Sequence, residues 1–233
     1  MKRRLPFFAR VSAAFLALAV FACLLAPPAV VAAPEELRAE LLYQKEGGEP
    51  RRGGEAMVCG RHARLDVQLG KAGLFTLLVD GEAGKMQVLS QRLKGYVESR
   101  VEGEGRSWRE LVRSASAVLM PQTLGMVSFE EKSYRELGRE SVEGYEALKS
   151  RCVFSLGFMG SYRDITVDVW ESEAFAPFPL KVAVLDDKST QGGAAWLDAV
   201  QPLKEGRDVF LLPAGYTRFG SVLDLILYAL SAL

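Results

Sequence analysis

Ile165-Thr166-Val167-Asp168-Val169-Trp170 alternates an aliphatic residue with a polar or amphipathic one at every step. Successive side chains of a β-strand point to opposite faces, so this period of two marks a strand with one face buried. The same rhythm recurs on both sides. Leu65, Val67 and Leu69 alternate with Arg64, Asp66 and Gln68, and Leu180, Val182 and Val184 alternate with Lys181, Ala183 and Leu185. Shorter strand candidates cover 37–43, 74–79, 86–89, 95–98, 147–154 and 195–200. Between them lie turn signals: Gly47-Gly48-Glu49-Pro50, Gly53-Gly54, Asp80-Gly81, Asp186-Asp187 and Gly192-Gly193. Arg51-Arg52 reads as a loop tip. Many short strands joined by short turns predict a mainly β (α+β) chain, a curved antiparallel sheet that rolls toward a half-open barrel.

Two segments depart from period two. In 107–120, Ser107 and Glu110 have the spacing of a capping box, and Pro121 ends the pattern. Trp108, Leu111, Val112, Ala115 and Leu119 then share one helical face, which suits a lid over the open side of the sheet. In 221–233, ten of thirteen residues are apolar, and they lie all round a short helix. That length does not span a bilayer, so its apolar surface is covered by protein or docks on something.

The first residues read as a targeting leader. Lys2, Arg3, Arg4 and Arg10 precede an apolar run from Val11 to Leu25, then Pro27, Pro28 and small residues ending at Ala32 and Ala33. These are the parts of a secretory signal, with cleavage expected after Ala32. The alternatives are an uncleaved anchor and a lipoprotein signal acylated at Cys23. The expected organisation is 1–32 as signal peptide and 33–233 as one domain in the periplasm. Removing the leader takes four of the 29 basic residues and leaves a net charge of −4. With no Lys/Arg-rich run, that balance is unfavourable for nucleic acid. Cys59 and Cys152 then remain. In an oxidising compartment they read as a disulfide closing a loop of about 94 residues, worth up to about 4–5 kcal/mol in the chain-entropy account. Two buried thiols are the alternative.

Catalytic and metal motifs are sparse. His62 is the single histidine, so zinc sites built on two or three imidazoles are excluded. Any Ser-His or Cys-His device must use His62. Asp164, Asp168, Glu171 and Glu173 offer acids for a carboxylate pair. No cofactor or metal is implied. Phe75, Tyr96, Trp108, Trp170 and Trp196 are spread along the sheet and helix, where aromatics line either an ordinary core or an apolar cavity.

The order of these elements resembles the LolA/LolB-like superfamily of periplasmic lipoprotein carriers and receptors, and more closely its branch of exported bacterial proteins of unknown function. Ala56 to Arg61 followed by Arg64-Leu65-Asp66-Val67 resembles a strand pair of that group. Leu77 to Gly81 and Lys94 to Glu98 resemble the next strands. Leu137-Gly138-Arg139-Glu140 with Val142-Glu143-Gly144-Tyr145, Pro179-Leu180-Lys181, and Phe210 to Tyr216 resemble its later signatures. The resemblance covers roughly 37–219. It implies a barrel whose lid is bonded by an arginine, with Arg61 the first candidate here and Arg64 the second. It implies a non-enzymatic protein whose interior, lined with Tyr96, Trp108, Leu111, Val112 and Trp170, takes a lipid or a lipidated or apolar client. The tail at 221–233 departs from the carrier pattern and offers contact with a membrane or an envelope protein. An interaction module with a filled barrel and a hydrolase using His62 or an acidic pair are the competing readings.

Overall fold

The computed structural model describes residues 36–101, 112, 127–158, 161–185, 191–220, 224, 225 and 228. The described residues form twelve strands: β1 (Leu37–Lys45), β2 (Arg51–Cys59), β3 (His62–Gln68), β4 (Leu74–Asp80), β5 (Lys85–Ser90), β6 (Gly95–Arg100), β7 (Val127–Val142), β8 (Tyr145–Phe158), β9 (Ser161–Glu171), β10 (Lys181–Leu185), β11 (Gln191–Pro202) and β12 (Thr217–Arg218). They form one curved, open sheet in the order β12-β6-β5-β4-β3-β2-β1-β11-β10-β9-β8-β7. Two meanders, β1–β6 and β7–β11, meet at an antiparallel seam between β1 and β11. Every pair is antiparallel except the short β12–β6 contact, which is parallel.

Register carries the alternation of one strand into its neighbours, so the faces can be followed strand by strand. Leu41 pairs with both Gly54 and Leu197, Ala56 with Leu65, Leu65 with Leu77, and Leu77 with Val88. Across the seam, Val182 pairs with Val169 and Val167 with Cys152. These residues and Phe75, Phe154 and Leu180 make one apolar cluster on what is here termed the inner face. Val112 and Leu225, both with helical backbone, belong to the same cluster at 2% and 0% exposure. The expected helices at 107–120 and 221–233 otherwise lie outside the described residues, as does the leader.

The other, outer face of β2–β6 is crossed by 203–219. Leu203 N–H donates to Glu36 O (2.8 Å), and Val209 and Phe210 pack on Met57 and Cys59. Beyond them the chain pairs with β6: Thr217 N–H donates to Lys94 O (2.8 Å) and Phe219 N–H to Tyr96 O (2.7 Å). From that edge it reaches the inner face at Leu225. Gly95 permits the passage, because a Cβ there would lie 2.5 Å from the Phe219 ring and 2.9 Å from Leu225.

Several sequence expectations are corrected. Arg51-Arg52 and Gly53-Gly54 lie within β2 and are not a turn. The register shifts between Leu41 and Leu42, leaving Gly53 as the extra residue of a bulge. At Gly54 a Cβ would lie 1.8 Å from Asp66 O, so backbone approach explains the glycine. Gly192-Gly193 likewise sits inside β11, at the shift opposite Val184 and Leu185. The Cys59–Cys152 disulfide is not formed. Cys59 packs on the outer face with Phe210, whereas Cys152 belongs to the inner cluster five strand positions away, so the two thiols point to opposite sides of the sheet.

Candidate functional site

The inner face is the larger candidate surface. Leu65, Leu77, Phe75, Phe154 and Leu180 stand on it at 2% exposure or less. Its polar patch lies toward β7–β9, where Tyr134 pairs with Cys152 and Ser150 is fully buried. Burial, then the negative charges of Glu171 and Glu136, pushes the Tyr134 hydroxyl up to about 12. The phenol therefore stays neutral there.

The residues singled out in the sequence do not converge on this face. Val112 does lie on it. Arg61 is exposed in the turn between β2 and β3, where its carbonyl accepts from Gly81 N–H (2.8 Å). Arg64 stands on the outer face of β3 and holds the crossing segment. Its Nη1 donates to Val209 O at 2.9 Å, while Nε and Nη2 bind the Asp66 carboxylate at 3.0–3.2 Å. Asp66 in turn accepts from Thr76 Oγ1 (2.5 Å). Tyr96 is half-buried on the outer side of β6, opposite Leu89 and beside Arg218. Trp170 follows inward Val169 on β9 and so stands on the outer face, with its indole N–H donated to Glu140. Trp108 and Leu111 lie outside the described residues.

The sequence reading missed the inner aliphatics of β3–β5 as a binding surface, although their alternation marked them as buried. It also missed the crossing segment itself. The only signal for it was Phe210 to Tyr216, an apolar and Gly/Pro-containing stretch without period two.

Catalytic groupings find no support in the described geometry. His62 Nδ1 lies 3.7 Å from Asp80 Oδ1 and Nε2 lies 3.9 Å from Glu82 Oε1, with Phe210 at 6.2 Å between ring centroids. Cys59 is its cross-strand partner, but that thiol donates to Glu36 Oε1 (3.3 Å). Burial and Glu36 raise its pKa, the reverse of what an activated thiolate requires. Asp164 binds Lys132 (2.8 Å), which lowers its pKa, and Asp168 binds Arg151 (2.6 Å). These two acids sit four residues apart on one strand, about 13 Å, too far for a glycosidase pair. Glu171 faces the opposite side from Asp168. Among the described residues, no three His, Cys, Asp or Glu side chains are grouped to hold a metal.

No protein family and no curated protein matches the chain. Solved structures do align over most of it. An uncharacterized conserved protein from Thermus thermophilus is 11% identical, with 79% of this chain and 90% of that one covered, at a TM-score of 0.43. The Pseudomonas aeruginosa MucA/MucB complex gives 16% identity, 78% and 56% coverage, and a TM-score of 0.35. The chain thus spans little more than half of that protein. A putative outer membrane lipoprotein-sorting protein domain from Vibrio parahaemolyticus gives 12% identity, 76% and 89% coverage, and a TM-score of 0.29.

Proposed function

We propose that this chain is a non-enzymatic protein of the bacterial envelope, exported by its leader to the periplasm, whose apolar inner face takes an acyl chain or an apolar segment of a lipidated client. The observation that carries this reading is Leu225. It comes from a segment that arrives across the open β6 edge, yet its side chain is completely buried in the inner cluster while Asp224 and Tyr228 beside it are exposed. An aliphatic group entering from outside is what a ligand would also be. Binding would rest on apolar burial, about 25 cal/mol per Å², with few polar contacts. The tail at 221–233 would act as a resident occupant that ligand displaces.

A chain ending at Phe219 tests this. It should keep its β circular dichroism and bind a fluorescent fatty acid more tightly than the full chain. If it stays folded and its binding is unchanged, the tail is no occupant. The second reading, a filled sheet serving as an interaction module, then takes over. That reading is favoured by the complete burial of Ala63, Leu77 and Leu180.

A further inference from the structure

The inner face carries a polar atom that its packing leaves unanswered. Ser90 ends β5, where it pairs with Phe75 on β4 and with Gly95 on β6. Phe75, Leu77 and Val79 belong to the inner cluster with their partners Val88 and Met86, so Ser90 points to the same side. Ser90 is completely buried, and its Oγ has no hydrogen-bond partner among the described residues.

What the tail sets beside this hydroxyl is apolar. A Cβ on the neighbouring Gly95 would lie 2.5 Å from the Phe219 ring and 2.9 Å from Leu225 Cδ1. Burying a hydroxyl among hydrocarbon without an acceptor costs free energy. The tail therefore matches the apolar surface and mismatches this one atom. A ligand that keeps the aliphatic contact and adds an oxygen acceptor recovers what the tail forfeits.

Cations flank the same corner. Lys71 lies in the β3–β4 loop, and Arg92 and Lys94 lie in the β5–β6 loop, all three exposed. Arg92 packs over Gly73, and its Nη1 donates to Lys71 O (3.2 Å), which ties the two loops together. Residues 67–79 and 83–97 contain no acid. Among the described residues, no carboxylate is within ion-pair distance of Lys71 or Lys94, while Arg218 and Glu98 on the adjoining strands face each other at 3.7 Å. The acid that the tail brings to this edge is Asp224, exposed next to the buried Leu225. The tail thus presents an aliphatic group with a carboxylate beside it.

We propose that this corner selects acyl chains ending in a carboxylate, the class of a free fatty acid. Ser90 Oγ–H donates to the oxygen of the head, Lys71, Arg92 and Lys94 hold its charge, and the chain takes the place of Leu225 against Phe75. The inference rests on the acyl-binding reading above and adds the chemistry of the ligand's polar end.

Displacement of diphenylhexatriene, a fluorescent hydrocarbon without a polar atom, tests it on the full chain. Laurate should displace the probe better than methyl laurate, which keeps the acceptor and lacks the charge. Ser90→Ala should weaken laurate and methyl laurate about tenfold each and leave the hydrocarbon probe unchanged. Its thermal stability without ligand should not fall, because the hydroxyl it removes is unpaired in the unliganded chain. Lys94→Gln should weaken laurate about threefold and spare methyl laurate. That exposed loop change breaks no ion pair, so it decides the matter should Ser90→Ala fail to fold. Equal displacement by laurate and methyl laurate, an unchanged laurate affinity in Ser90→Ala, or a loss shared equally by the hydrocarbon probe would overturn the inference and leave acyl binding standing. If neither the probe nor laurate binds the wild type, the acyl-binding reading fails and takes this inference with it.

Discussion

The two meanders of the sheet share a core and differ in their backs. Behind β2–β6 the outer face is clad by 203–219, so Met57, Cys59, Leu78 and Leu89 are buried there. Behind β7–β10 the outer face carries Lys149, Arg151, Asp168 and Lys181, and the sixteen-residue edge strand β7 is mostly exposed. Alternation alone therefore does not determine which residues are buried. A strand with apolar residues on both faces needs a second covering layer, and the crossing segment supplies it. On β8–β10 the charged side chains themselves cover what lies beneath, with Lys149 and Lys181 over the buried Trp170 and Arg151 on the buried Asp168. The bare edge has its own protection, since β7 carries seven charged residues and two bulges, which discourage pairing with another sheet.

The largest test asks whether the halves fold as one. Leu77→Ala in the clad half and Phe154→Ala in the bare half each open a cavity in the same inner cluster. Each should cost about 3–5 kcal/mol in urea unfolding, with a single transition. Separate transitions for the two halves would mean that the β1–β11 seam does not couple them.

A smaller effect distinguishes cladding from core. Arg64→Ala removes the bond to Val209 O and one partner of the half-buried Asp66. The expected loss is about 1.5–3 kcal/mol, together with faster proteolysis between 203 and 216. Stability loss without new cleavage there would show that Arg64 supports β3 and not the crossing segment.

The smallest effect belongs to the bare half. Tyr134 titrates at 10.0 when unperturbed and at about 12 in the fold. Between those pH values the unfolded chain gives up a proton that the folded chain keeps. Stability is therefore intact below pH 10 and falls as pH rises toward 12. Tyr134→Phe should remove that part of the decline, and an identical alkaline profile in the variant would refute the burial assigned to Tyr134.

The sequence made the inner face legible wherever one side of a strand was apolar and the other polar, as in β3, β9 and β10. It hid β7, because two bulges reset the alternation along a mostly exposed edge strand whose inward residues Phe129 and Tyr134 are only partly buried. It hid β2 behind two glycines that read as a turn, although they serve a bulge and a close backbone approach. The site residues were harder to place. A tryptophan in an alternating strand is equally consistent with either face. Trp170 went outward because Val169 had taken the inner position, and Glu140 and the two lysines then satisfied its polar and aromatic surfaces.

The passage over the β6 edge has a kinetic and thermodynamic corollary. Phe219 is fixed to β6, and only five residues separate it from Leu225. Whatever Leu225 occupies is therefore faced with a competitor on a short leash. Short tethers of this kind correspond to local concentrations on the order of millimolar. A ligand entering the inner face would meet that concentration however dilute the protein, and its apparent affinity would be lower than its intrinsic affinity by the fraction of time the site stands open. Loosening the β12–β6 pairing would then tune uptake without altering a single residue that touches the ligand.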